Sequence, residues 1–543
     1  MCNNFELNHV DYCDDFRTFI KYIQDHYSTK DALSFYDRGG KITTISYQEF
    51  GDRIINFAAY LQQEGLTDKH CAIIAENSVE WLICAFGIAY VGAIAVCIDT
   101  EQSDEILLKM ISQADCEVVI YSNSFLNLLK SVDHGIRLIS LSDHDSFYDI
   151  LNQGAQNKVA QQLIMTKVID PYACSFIYYT SGTTSTSKPV MLSQRAILYN
   201  AIDSMALVKV SGKLYTSLPF YHTYGLTCSI LDVLSQGLSI CINGNLKTSL
   251  RDMALFGPDY LMAVPLLVET IYKYISMEMH KIGKTVEFED YFKPKSSIFR
   301  SNSTSFSELD NIIKHICGPN LKMIVCGGAN ISEQLIRKFD RMKIMILQGY
   351  GITECSPLVS VNRNCHNEIG SVGQILPHYH IKIKDNEIYV QGDSMMLGYY
   401  KDEKLTSEAF DGKWFKTGDI GYQNKLGYLY ITGRKKNLIV FKNGKKASPE
   451  EIESYLYSVP IVKEVIAYGA VNGLSIDDVK LSVTIYPDPS LTKDMAPYEI
   501  LNVLQNEINK INHDLPIYKQ IQMVKVSENP LPKTNLNKLK RNM

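Results

Sequence analysis

No Cys-x-x-Cys pair occurs among the thirteen cysteines of this 543-residue chain, and their number is odd. They sit in apolar contexts, as at Cys84, Cys97 and Cys174, so a disulfide framework and a dithiol redox centre are both excluded. Reduced thiols acting as small core residues in a cytoplasm are expected instead. A zinc hydrolase has no support either, because His378 and His380 lack further ligands at metal-binding spacing. Charge imbalance is also missing: 54 basic and 59 acidic residues leave a net charge of -5, which gives no electrostatic case for nucleic acid as a partner. The first residues, MCNNFELNHVDYCDD, contain no basic region leading into an apolar one, so no secretory signal is expected and the localisation read from sequence is cytoplasmic. Internal repeats and low-complexity tracts are absent. One stretch, residues 81–98, runs eighteen positions without a charge, near the length of a membrane-spanning helix. Gly87 and Gly92 interrupt it and AIAVCID follows, which reads as a buried helix giving way to a buried strand.

What is present is an ordinary globular composition, 46% apolar and 21% charged, in a chain too long for one core. Two or more domains follow. Its organising stretch is CSFIYYTSGTTSTSKPVMLSQ, residues 174–194. A short apolar strand ends at Tyr179 and resumes at Val190. Between them, six of the seven residues 180–186 are Ser or Thr, Gly182 is the seventh, and Lys188 stands at the exit. Hydroxyls, backbone N–H groups and one cation can wrap phosphate oxygens. The nucleotide loop GxxxxGK[ST] does not fit, since Ser187 replaces its second glycine and Pro189 its metal-binding hydroxyl. Alone, such a loop is a weak signal, because most are solvated turns.

Along the chain, apolar spacing predicts an amphipathic helix over 43–64, a strand over 71–75 and a helix over 77–89 behind an Asn or Ser cap. Strand-like runs at 117–121 and 138–141 alternate with helical segments, the pattern of a wound α/β layer. Residues 277–320 are irregular. A solvated loop with one helix is the simple expectation, and peripheral membrane contact through its Lys and Phe residues the alternative. After the turn-closed strands of KTGDIGYQNKLGYLYITGR, a small unit opens, with Ser448-Pro449-Glu450-Glu451 reading as a helix start. Strands within VIAYGAV and at 481–486 and a helix over 498–515 make it a small α+β fold.

Further blocks stand in order: LPFYHTYGL at 218–226, CGGANIS at 326–332, LQGYGITE at 347–354, KTGDIG at 416–421, GRKKNLI containing Arg434, and LPKTNLNKLKR at 531–541. With TSGTTSTSK they resemble the adenylate-forming superfamily of acyl-CoA synthetases, luciferases and nonribosomal adenylation domains, over nearly the whole chain. Residues 277–320 look more like the long-chain fatty acyl-CoA synthetases than the aryl or amino-acid branches. The resemblance implies an α/β fold: an N-terminal domain, residues 1–435, of wound α/β layers plus a β-rich subdomain, and a small mobile α+β lid, residues 436–543.

By that resemblance Thr180, Ser181, Gly182, Thr183, Thr184 and Lys188 hold the β- and γ-phosphates of ATP. Glu354 binds Mg2+ on them, as suits a hard cation. Gly327, Gly328 and Ala329 form the turn under the adenine, and Gln348, Gly349 and Tyr350 its other wall, while Gly351 and Thr353, beside Glu354, also belong to the nucleotide site. Asp419 takes the ribose hydroxyls and Arg434 also reaches the sugar. Lys538 is the catalytic lysine of the lid, bridging the acid carboxylate and the α-phosphate, and Lys436 is the hinge. His222 sits beside the acid carboxylate, and Tyr221, Val264, Pro265 and Cys326 suggest an apolar acyl pocket. The family usually has Gly at the positions of Ser185 and Pro189, Pro at Ser187, His at Gln194 and Gly at Asn537. The expected reaction is AMP-forming activation of a medium- or long-chain fatty acid, followed by transfer to CoA. The alternatives are transfer to the phosphopantetheine of a separate acyl carrier protein and, in a different class, a nucleotide-binding pseudoenzyme.

Overall fold

The computed structural model describes residues 6–37, 39–130, 135–180, 187–243, 248–292, 303–441, 445–471 and 479–532. The chain divides into two compact units. One comprises Met1–Ile331, Leu335–His380 and Val390–Phe415, the other Ser332–Gln334, Ile381–Tyr389 and Lys416–Met543.

Two wound sheets build the first unit. In the seven-stranded sheet, Cys174–Tyr179, Ile94–Cys97, His70–Ile74, Val118–Tyr121 and Arg137–Ser140 run parallel in that spatial order. Pro189–Ser193 and Gly398–Tyr399 add antiparallel to the Cys174–Tyr179 side. The nine-stranded sheet has a parallel centre, including Lys213–Thr216, Tyr260–Ala263, Met323–Cys326 and Met345–Gly351, with antiparallel strands at both edges. Parallel strands covered by helices are buried on both faces, which explains their continuous apolar runs. Helix starts are written locally: the side chain of Ser78 accepts from the N–H of Trp81, and Ser193 accepts from Ala196.

The uncharged stretch 81–98 is a buried helix, Val79–Val91, then a buried strand, Ile94–Cys97, as its glycines indicate. Gly92 ends the helix in the left-handed conformation, φ 82°. Gly87 lets the neighbouring helix approach, since a Cβ there would stand 2.7 Å from the Phe57 ring. Among the described residues no helix is long and apolar enough to cross a membrane.

Two expectations are corrected. The helix expected over 43–64 begins later, because Ile42–Ser46 pairs as a strand with Asp31–Tyr36 and Ser46 caps the helix Tyr47–Gln63. Alternating TTIS satisfies a sheet edge better than a helix face. Residues 277–320 hold more helix than a loop with one: Thr285–Tyr291 and Ser303–Cys317 follow the end of Pro265–Lys281.

A five-stranded sheet runs through residues 379–434, the β-rich part of the expected α/β fold. In the second unit, Val462–Val471, Val479–Pro487 and Met523–Val526 form a three-stranded sheet. The helices Pro449–Leu456 and Pro497–Asp514 pack Ile452, Leu456, Leu504 and Ile508 onto Val465, Leu481 and Val483.

Candidate functional site

The hydroxyl-rich loop is pinned at its neck. The Thr180 N–H donates to the Lys188 carbonyl at 3.0 Å, and the Lys188 N–H donates to Thr180 Oγ1 at 3.3 Å. Ser181, Gly182, Thr183 and Thr184 lie outside the described residues. Pro189, which cannot donate, stands first in its strand, and its carbonyl accepts from the Tyr400 N–H at 2.8 Å. Proline restricts the preceding residue to extended backbone, which suits Lys188 at this neck.

That same ladder sets Tyr399 opposite Val190. The Lys188 ammonium lies 5.0 Å from the centroid of the Tyr399 ring, a cation–π contact. From the same phenol, the hydroxyl donates to Glu354 Oε1 at 2.8 Å. Burial, and next the negative charge of Glu354, push the Tyr399 phenol well above its ordinary range, so it stays protonated and remains a donor. Lys188 and Glu354, 166 positions apart in sequence, are thereby brought to one aromatic side chain.

Glu354 projects from the short turn Thr353–Cys355, which follows the strand Met345–Gly351. The Ile352 N–H donates to the Pro357 carbonyl at 2.9 Å and closes the turn. A Cβ on Gly351 would meet that same carbonyl oxygen at 2.4 Å, so no side chain fits there. On the strand, Gln348 is buried, and its Oε1 accepts from the Gly370 N–H at 3.4 Å. Cys326 pairs in parallel register with Gln348, so Gly327 and Gly328 leave their strand beside it, at the carboxyl ends where open α/β sheets bind ligands. A Cβ on Gly327 would come within 3.4 Å of the Tyr224 ring and 3.5 Å of the Gly349 carbonyl. Gly328 has φ +83° and Ala329 is exposed.

Gly327, Gly328, Gly349 and Gly351 line one side of a cavity of about 70 Å³. Tyr224 lines another side and reaches the Val325 carbonyl with its hydroxyl at 3.0 Å. His222 is half-buried at the start of Thr223–Leu226, its ring centroid 4.8 Å from that of Tyr221, and does not line this cavity.

Within the second unit, Asp419 and Arg434 are direct cross-strand partners of Trp414–Gln423 and Leu429–Arg434. Arg434 Nε donates to Asp419 Oδ1 at 2.6 Å, and the Asp419 side chain is buried. The arginine braces the carboxylate as well as neutralising it. Lys436 is exposed in the turn Lys435–Asn437, beside Lys435, whose ammonium binds Glu387 at 2.6 Å. Lys538 lies outside the described residues.

Two residues escaped the sequence reading. Tyr399 carries no local mark, because both of its partners are remote in sequence. Asp232 lines the cavity from inside an uncharged apolar segment, LTCSILDVL, where a lone acid is a usable signal. Among the described residues no group of three or more His, Cys, Asp or Glu side chains could hold a metal ion. A lone carboxylate such as Glu354 fits Mg2+, which takes one or two carboxylates and draws other ligands from phosphates and water.

The AMP-binding enzyme family matches residues 23–400, and the AMP-binding enzyme C-terminal domain matches residues 436–543. The chain is 24% identical to the indoleacetate–CoA ligase of Aromatoleum aromaticum, covering 94% of each chain. It is 27% identical to the long-chain-fatty-acid–CoA ligase of Escherichia coli O157:H7, covering 92% of this chain and 89% of that one. The anthranilate CoA ligase AuaEII, solved with anthranoyl-AMP, superposes with a TM-score of 0.77 at 18% identity, covering 100% of this chain and 97% of that one.

Proposed function

We propose, from the premise that the chain belongs to the AMP-binding enzyme family, that it is an AMP-forming ligase joining an aliphatic carboxylic acid to the thiol of CoA. The observation that carries this reading is the set Lys188, Tyr399 and Glu354, built at the neck of a hydroxyl-rich loop next to the glycine-lined cavity.

Attack of a carboxylate on the α-phosphate of ATP joins two anions, so the protein must neutralise charge and fix the line of attack. Thr180 and Lys188 hold the phosphates that leave as pyrophosphate, with Ser181, Gly182, Thr183 and Thr184 completing that loop. Glu354, oriented by the Tyr399 hydroxyl, holds Mg2+, which when bound neutralises phosphate charge. Gly327, Gly328, Ala329 and Gln348 to Gly351, with Thr353 beyond them, supply a flat backbone wall for the adenine. Asp419, braced by Arg434, takes the ribose hydroxyls. Lys538 meets the reacting oxygens in the first half-reaction, and movement of residues 436–543 about Lys436 then admits the thiol. His222 borders the acid carboxylate.

The relatives act on indoleacetate and long-chain fatty acids by their names, so the acid is read from this chain's own cavity. Its mostly apolar lining, with Met205, Met262, Val325 and Leu358, suits an aliphatic chain. Pyrophosphate release with MgATP across acids from acetate to oleate, with and without CoA, tests the reading. Acyl-CoA formation peaking at one chain length supports it. Acyl-AMP accumulating despite CoA would move the acceptor to a carrier protein, and no release with any acid would leave a nucleotide-binding protein without this activity.

A further inference from the structure

The helix behind the cavity contains a buried acid, Asp232, for which the described residues offer no cationic partner. It runs as Thr223–Leu226, a π turn Thr227–Leu231, and Asp232–Ser235. Tyr224, Cys228 and Asp232, four positions apart, all line the cavity. Single π turns inside α-helices concentrate at functional sites, because the wide turn re-aims the side chains around it. Asp232 is fully buried. Its Oδ1 accepts from the Val233 N–H at 2.7 Å, and its Oδ2 has no hydrogen-bond partner among the described residues.

A buried carboxylate in this state is expensive. Ionised, it carries a desolvation penalty of several kcal/mol with no cation among the described residues to offset it. Burial accordingly pushes the Asp232 carboxyl well above the ordinary range, which leaves a neutral acid. The neighbouring cavity wall is mostly apolar, with Met262, Val325 and Leu358 facing the same space and Ser204 and Tyr224 the other polar side chains on it. A ligand that brings its own positive charge reverses the balance: the carboxyl ionises and both charges are paired and desolvated together.

Geometry puts this acid at the far end. Tyr224 borders Gly327, where the adenylate is read to sit, and Asp232 lies eight residues further along the helix, roughly 12 Å at α-helical rise and less across the π turn. We infer that Asp232 recognises a basic amine at the distal end of the acid substrate, so that the chain activates a short ω-amino acid in preference to the plain acid of equal length. This assignment rests on the ligase reading above and narrows its substrate class.

The test uses paired acyl-sulfamoyl adenosines, inert mimics of the adenylate, each carrying a four- to eight-carbon chain, plain or amine-tipped, titrated calorimetrically into the full chain. At the best length the amine-tipped member should bind about tenfold tighter or more, the size of a hydrogen-bonded charge pair. In Asp232→Leu the preference should invert, and in Asp232→Asn it should fall to about threefold or less. Tight but equal binding of both members to the parent protein would overturn the role of Asp232, leave the ligase reading standing, and mark the carboxyl as one satisfied by trapped water. Binding of neither member would overturn the ligase reading, and this assignment with it. The parent comparison needs no variant, so a substitution that fails to fold does not rescue the idea.

Discussion

At the scale of single residues, the proposed chemistry depends on side chains that serve two partners. Tyr399 is the clearest, holding Glu354 through its hydroxyl and Lys188 over its ring. Removing one function at a time separates them. Tyr399→Phe keeps the ring and loses the donor, and pyrophosphate release should fall about tenfold, as for a hydrogen bond to a charged group. Tyr399→Leu loses both and should fall further, by about a hundredfold in all. Equal rates for the parent and both variants would show that Tyr399 plays no part in positioning Glu354. Gly351 is the opposite kind of residue, needed for what it lacks. Gly351→Ala sets a methyl 2.4 Å from the Pro357 carbonyl, so the Glu354 turn must move. A loss of about 1–3 kcal/mol in urea unfolding is expected, together with slower turnover. Unchanged stability would mean that the turn yields freely.

At the scale of elements, the edge of the seven-stranded sheet decides where Tyr399 stands. Its strand is only two residues long, Gly398–Tyr399, and is held by ladder bonds to Pro189–Ser193. Just beyond it, the exposed carboxylate of Asp115 binds the Lys401 ammonium and, at 2.6 Å, the Tyr400 hydroxyl. Those two contacts, the lysine first, hold the Asp115 carboxyl below its usual range. A carboxyl depressed in the folded state stabilises the fold above its unfolded pKa, near 4, and ceases to do so as pH falls through the lower folded value. Because the pair is exposed and screened, the contribution is small, about 0.5 kcal/mol. Asp115→Asn should therefore lower stability slightly at pH 7 and leave it equal to the parent in strong acid, as urea unfolding at the two pH values would measure. A difference that grows toward acid would contradict this sign. The helices follow simpler logic, since Ser46, Ser78 and Ser193 each cap the helix that begins beside them.

At the scale of the whole molecule, the proposed ligase reaction has two half-reactions, for which two arrangements of the chain are expected. Lys436→Pro restricts the backbone where the turn is expected to work. Acyl-AMP formation should stay within about threefold of the parent while thioester formation falls at least about tenfold, since a hinge gates the second step. Lys538→Ala should do the reverse, slowing adenylation and sparing transfer from preformed acyl-AMP. Mass detection of both products checks the pair, and parallel losses in Lys436→Pro would remove the hinge. The sequence by itself determined the α/β class, the strand–loop–strand around Thr180 and Lys188, the break at Gly92 and the family, because these depend on local periodicity, caps and ordered motifs. It misjudged TTIS, whose alternation is resolved only by the partner strand Asp31–Tyr36. Tertiary structure alone decided that Lys188 and Glu354 share Tyr399, that Arg434 braces Asp419, and that Asp232 ends against a cavity. The reason is physical: propensity and spacing act over a few residues, whereas these contacts join residues remote in the chain and exist only once the core has closed around them.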